Sequence, residues 1–320
     1  MKAIRIDEFG GTEVLKLVNI DRPIPENDEI LVKVYSSSVN PVDCTMRNGG
    51  NEILRPFLKL PMILGCDVAG IVEEVGSEVT NFKKGDAVYG CPNFPGDGSY
   101  AEFVAAKSNR FAIKPSNISF NHAAAVPLTS LVAWEGIFEL GKLEKGQKIL
   151  IQGASGGVGS FAVQIAKAKG AYVIGVASTD NVEYLKQLGC DEVFDYKSQD
   201  FENILKNIDL VFDASPIRND IDRLKSVKVL KNGGIFVSVN VDYPFSEIVN
   251  EEMDNKNVIG KMVAGQNHAN LSEIAELISE NKVNVFVSKV FPLEQVAEAH
   301  KESETWHVRG KLVLEVRKEI

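Results

Sequence analysis

The chain has no run approaching the ~18 apolar residues that would mark a bilayer-spanning helix. Its first residues, MKAIRIDEFGGTEV, carry charge from Lys2 onward and lack the apolar centre of a signal peptide. No Lys/Arg-rich block is present and the formal net charge is −9, which removes nucleic acid and anionic membrane surfaces from the expected partners. Cysteine is scarce. Cys44, Cys66, Cys91 and Cys190 stand apart, with no CxxC pair to suggest the close-set ligands of a structural zinc. Free thiols in a reducing compartment are the simple reading, and a cytoplasmic protein is expected. Internal repeats and low-complexity segments are also missing.

What is there points to a two-domain globular protein. The 320 residues exceed the ~100–200 of a typical domain, and a hydrophobic fraction of 44% supports real cores. The first ~115 residues carry short β-patterned runs (AIRI, VLKLVNI, EILVKVYSSSVN, GIVEEVG, DAVYG, SYAEFVAA) punctuated by Gly and Pro, the spacing of an all-β unit. From Lys148 the rhythm changes. Strand candidates KILIQ, YVIGVA, EVFDY, IDLVFDA and GGIFVSVN alternate with helices over 158–169, 181–188 and 221–230, which implies a parallel sheet covered on both faces. After Ile259 an amphipathic helix over 271–281, an extended VNVFVSKVFPL, a helix over 294–301 and a strand KLVLEV follow. That tail is too short to bury a core of its own. We therefore expect it to complete the β domain: 1–121 with 262–320, and an inserted α/β domain over 122–261.

The α/β domain opens on QGASGGVG. Gly153, Gly156, Gly157 and Gly159 follow a strand directly and start a helix, which is the context that gives a glycine cluster meaning. Glycines permit the tight turn, and the helix N-terminus offers free N–H groups to a pyrophosphate. A tight turn without a ligand is the plain alternative. The acid that would hold an adenosine ribose at the end of the second strand is missing: Ser178 and Thr179 stand there, with Asp180 next. Hydroxyls accommodate a 2′-phosphate, so NADPH is expected over NADH. The same two residues could also cap the helix beginning near Asn181.

Together with VQIAKAKGAYVIGVAS, LGCDEVFDY, HVRGKLVLEV, SSSVNPVDCTMRNG and ILGCDVAGIVEEVGSEVTNFKKGDAVYG, the motif GASGGVG resembles the medium-chain dehydrogenase/reductase superfamily, specifically its zinc-independent quinone oxidoreductase branch. The resemblance extends over essentially the whole chain. It implies a Rossmann doubly wound parallel sheet inserted in a discontinuous GroES-like β-barrel domain, an active site in the cleft between the two, and homodimers or homotetramers. In zinc-dependent relatives a Cys, a GHE histidine and a later Cys hold the metal. Here Asn40 stands at the first position, Gly65-Cys66-Asp67 replaces GHE, and AVPLTSLVAWEG contains no Cys. The lobe of four close cysteines is absent too, so no metal is expected.

Cofactor contacts are carried over by motif. Thr129 is similar to the residue that approaches the nicotinamide, and Ala154, Ser155, Gly156, Gly157 and Val158 to the pyrophosphate loop. Ser178 and Tyr196 look like the 2′-phosphate pair, although Asn181 stands where relatives often have a Lys. Asn240 and Lys311 resemble further cofactor contacts; a turn residue and a surface charge are their plain alternatives.

With that zinc-ligand set replaced, hydride transfer to an already electrophilic acceptor is the expected chemistry: quinones, α,β-unsaturated ketones or 2-alkenals. Asn40 is the candidate polar group beside the nicotinamide, or else a residue capping the turn before Pro41. The tyrosine that enoyl-thioester reductases place after NPVD is absent from TMRNGGNEILRPFLKLPMI, which argues against that activity. The four histidines, His122, His268, His300 and His307, lie in helical or tail segments and are not expected to act as general acids. The substrate pocket is expected between Cys44 and Phe57, with Phe94, Tyr243 and Phe245. A non-catalytic NADPH-binding redox sensor is the other class of reading.

Overall fold

The computed structural model describes residues 1–263 and 267–319. The chain divides into two compact units, Met1–Leu128 with His268–Ser279 and 285 onward, and Thr129–Asn267 with Glu280–Asn284.

The second unit is built on a six-stranded parallel sheet. Its strands Lys148–Gln152, Tyr172–Ala177, Glu192–Asp195, Ile208–Asp213, Leu230–Ser238 and Ile259–Met262 lie in the order 3-2-1-4-5-6. Central strands of such a sheet are covered on both faces and must be apolar throughout, and Ile149, Leu150 and Ile151 are fully buried. Helices Gly157–Ala168, Val182–Leu188 and Asp220–Val229 connect the strands. The order reverses beside Lys148–Gln152, so the C-terminal ends of strands 1, 2 and 4 flank a switch point where ligands bind in such sheets.

In the first unit a seven-stranded sheet contains Glu29–Val39, Asp67–Val75, Ala87–Gly90, Phe103–Lys107, Phe111–Ile113, Val287–Pro292 and Lys311–Glu315. The tail does complete this sheet: Leu312 to Glu315 pair antiparallel with Val39 to Ser36. Ile30, Val32, Val34, Val68, Val72 and Val88 fill its core. A three-stranded sheet of Lys2–Ile6, Lys16–Asn19 and Met62–Ile63 accompanies it. Among the described residues no helix is long and apolar enough to cross a membrane.

The boundaries differ from the sequence expectation. The first falls after Leu128 rather than after 121, because Phe120 stacks on Tyr35 with ring centroids 4.4 Å apart and the Leu128 N–H donates to Asp67 at 2.7 Å. The second falls after Asn267 rather than after 261: strand Ile259–Met262 pairs with Ile235 to Ser238 and stays with the parallel sheet. Residues 280–284 also belong to the second unit, where Gln164 both donates to the Asn284 carbonyl and accepts its N–H.

Candidate functional site

In the second unit the glycine loop is shaped by two steric demands. Gly153 turns at φ +67°, and a Cβ there would lie 2.6 Å from the Ala214 carbonyl oxygen. At Gly159 a Cβ would lie 2.2 Å from the Gly153 oxygen, so the helix can fold back onto its own turn only without a side chain. Gly156 is different. A Cβ there would meet no protein atom closer than 3.5 Å, and as N-cap it leaves the first-turn N–H groups without a side-chain acceptor. An open approach to unpaired N–H groups at the start of a 12-residue helix fits a pyrophosphate. Ser155, Gly156, Gly157 and Val158 are half-buried along this turn, whereas Ala154 is fully buried and donates its N–H to Val176.

Ser178 and Tyr196 come from neighbouring strand ends, since Ala177 registers with Asp195. The Ser178 hydroxyl accepts from Asn181 at 3.1 Å, and Tyr196 is exposed. Between them lies a carboxylate that motif reading passed over. Asp195 accepts from the Thr179 hydroxyl at 2.6 Å and from the Lys197 N–H, and the Thr179 bond leads in holding its pKa below the usual value. The acid missing from strand 2 thus has a neighbour on strand 3.

Asn240 is buried at the end of strand 5 and donates to the Ser215 carbonyl at 3.0 Å and the Ile217 carbonyl at 3.3 Å. Asp213, held above the ordinary carboxyl pKa by burial, accepts from Ser215 and Ser238. The segment beyond is clamped by Arg223, which donates to the carbonyls of Tyr243 and Pro244 and lies 4.3 Å from the Tyr243 ring and 4.8 Å from the Phe245 ring. Thr129 is buried near the start of helix Pro127–Trp134.

In the first unit Asn40 and Lys311 meet. Asn40 is the N-cap of helix Pro41–Arg47, and its backbone N–H donates to Asp43 at 2.8 Å. Its carboxamide turns inward: Oδ1 accepts from Lys311 Nζ at 2.5 Å and Nδ2 donates to Asp67 at 2.8 Å. All three side chains are buried. Beside them runs a second buried chain. Arg47 donates to His300 Nδ1 at 3.1 Å; an arginine only donates, so the ring proton sits on Nε2, 3.2 Å from the Tyr100 hydroxyl. Burial, and after it the Asp43 charge, push the Tyr100 hydroxyl far up. Burial, with Arg47 second, lowers the His300 pKa to about 3, and burial raises that of Asp43 to about 6. No spacing rule pairs residues 200 positions apart.

Cys66 donates to Asp43 and Cys91 to Asp67, and burial pushes both thiols far up. Among the described residues no three His, Cys, Asp or Glu side chains group as metal ligands. In the stretch expected to line a pocket, Cys44 borders a cavity of about 300 Å³ with Thr45, Asn48 and Trp306, and Phe57 a second of about 260 Å³ with Met62 and Pro95.

Residues 26–116 match the alcohol dehydrogenase GroES-like domain and 188–314 the family described as zinc-binding dehydrogenase. The chain is 35% identical over 330 residues to the chloroplastic NADPH-dependent alkenal/one oxidoreductase of Arabidopsis thaliana, covering 98% of this chain and 79% of that one. It is 33% identical over 317 residues to the quinone oxidoreductase of Mus musculus, covering 94% and 93%. The solved quinone oxidoreductase of Coxiella burnetii superposes with a TM-score of 0.89 at 36% identity, over 99% of both chains.

Proposed function

The chain belongs to the quinone oxidoreductase branch of the medium-chain dehydrogenase/reductase superfamily, and from that premise we propose that it is an NADPH-dependent, zinc-independent reductase of quinones or α,β-unsaturated carbonyl compounds. The observation that carries this reading is the Asn40 carboxamide. By the family resemblance it stands where zinc-dependent relatives carry a metal-binding cysteine, and Lys311 and Asp67 hold it as a hydrogen-bonding group. A conjugated carbonyl needs a donor at its oxygen and a positioned hydride source, and little else.

A bound reduced nicotinamide supplies the hydride. The residues that would hold it are the first-turn N–H groups after Gly156 for the pyrophosphate, and Ser178 with Tyr196 for the 2′ end. Both hydroxyls can donate to a phosphate, which supports NADPH; the Asp195 carboxylate opposes it and limits the preference. The acceptor is a small molecule, and a homodimer or homotetramer is carried over from the family resemblance alone.

The test is NADPH consumption with 1,4-benzoquinone, 9,10-phenanthrenequinone, 2-hexenal and a crotonyl thioester. Turnover of the quinones or the alkenal, with little of the thioester, is expected. Tight NADPH binding without turnover of any acceptor would replace this reading by a non-catalytic NADPH-binding sensor.

A further inference from the structure

We propose that Lys311 and Asp67 are positioning residues that lock and polarise the Asn40 carboxamide as a donor to the oxygen that gains charge during reduction; this rests on the reading above. Lys311 is separated from Asn40 by 271 positions, yet its Nζ lies 2.5 Å from Asn40 Oδ1, 3.2 Å from the Val39 carbonyl and 3.4 Å from Asp67 Oδ2. Three ammonium hydrogens face three acceptors, so the side chain is fully used inside the protein.

Asp67 completes the arrangement. Its Oδ2 accepts from Ser38 at 2.5 Å and from Asn40 at 2.8 Å, and its Oδ1 from the Leu128 N–H at 2.7 Å and the Cys91 thiol at 3.7 Å. With the carboxamide rotated by half a turn, its NH₂ would face an ammonium and its oxygen a carboxylate. Only one orientation therefore satisfies both neighbours. It leaves the second Nδ2 hydrogen without an acceptor among the described residues.

An ammonium on the amide oxygen draws density from the amide nitrogen and strengthens the remaining N–H as a donor. With a dihydronicotinamide bound, the acceptor's conjugated carbon would receive its hydride, leaving nicotinamidium. The π pair would move onto the carbonyl oxygen, giving an enolate; water then protonates it at carbon in the enone case, while the quinone adduct tautomerises to the hydroquinone monoanion before water protonates its oxygen. A donor fixed before that charge arrives stabilises the transition state more than the ground state.

The experiment compares wild type, Lys311→Met, Asn40→Ala and the double variant, reading kcat for 2-hexenal and 1,4-benzoquinone at saturating NADPH, and NADPH Kd by fluorescence. Lys311→Met is expected to lower kcat for 2-hexenal about 10- to 100-fold, less for the intrinsically more electrophilic benzoquinone, and to leave NADPH Kd within about twofold. Because Lys311 acts through Asn40, adding Lys311→Met to Asn40→Ala should cost no further rate. A raised NADPH Kd with unchanged kcat would make Lys311 a cofactor contact and overturn the proposal, as would additive losses. If Lys311→Met does not fold, Lys311→Gln keeps a donor without the charge and should show the same acceptor-dependent loss; an equal loss for both acceptors overturns the proposal. Failure of the wild type to reduce either acceptor sinks the functional reading and this inference with it, whereas wild-type turnover with unaffected variants sinks this inference alone.

Discussion

His300 Nε2 stands 3.2 Å from the Tyr100 hydroxyl, in a buried line that begins at Arg47, and the Asp43 charge acts on the same tyrosine. His300 and Asp43 respond to pH in opposite senses. His300 titrates at about 3 folded and about 6.5 unfolded, so its contribution is complete above pH ~6.5 and is lost as pH falls towards 3. Asp43 is raised from 3.8 to about 6, so its contribution is complete below 3.8 and is lost as pH rises through 6. Between about pH 4 and 6 the slopes cancel in the wild type. Asp43→Asn should expose a stability that falls with acid, and His300→Gln one that falls with alkali, each by up to about 1.4 kcal/mol per pH unit in urea titrations. Two variants with the same slope would show that the line does not titrate this way.

Gly156 and Gly159 separate ligand approach from packing. Gly156→Ala meets no protein atom nearer than 3.5 Å and should melt within about 2 °C of wild type, while NADPH Kd rises about tenfold. Gly159→Ala drives a Cβ into the Gly153 oxygen and should cost about 1–3 kcal/mol of stability. Calorimetry and NADPH titration on the two variants check both expectations.

Asp195 sets a limit on NADPH preference. Asp195→Asn keeps an acceptor for Thr179 and removes the charge, so the ratio of kcat/KM for NADPH over NADH should rise about fivefold, the effect of roughly 1 kcal/mol between groups near the surface. Ser178→Asp should move it the other way. An unchanged ratio in both variants would place the 2′ site elsewhere.

Arg223 holds the Tyr243–Phe245 segment through two carbonyls and two rings. Arg223→Met keeps most of the bulk and loses the clamp. If that segment shapes the acceptor site, KM for 9,10-phenanthrenequinone should rise at least threefold more than KM for 1,4-benzoquinone, a difference of about 0.7 kcal/mol in binding. Equal changes for the two quinones would show that the segment does not touch the acceptor.

The two-part plan is legible in the residues alone, because periodicity is a local signal. Strands such as KILIQ and YVIGVA are buried on both faces and read as apolar runs, and the helix after Gly156 announces itself through its glycines. Where local pattern is weak, elements are not legible from it. Helix Glu247–Asn255 buries only Val249 and Met253, and strand Ile259–Met262 is four residues of half-exposed IGKM. Asn40 and Lys311 were each legible as candidates from motifs, but as a capping residue and a surface charge in their plain alternatives. Their shared hydrogen bond comes from the folded chain, where strand Lys311–Glu315 pairs with Glu29–Val39 and brings residues 40 and 311 together. The same holds for Tyr100 and His300. A buried polar group must find partners wherever the fold supplies them, and no local spacing encodes which ones.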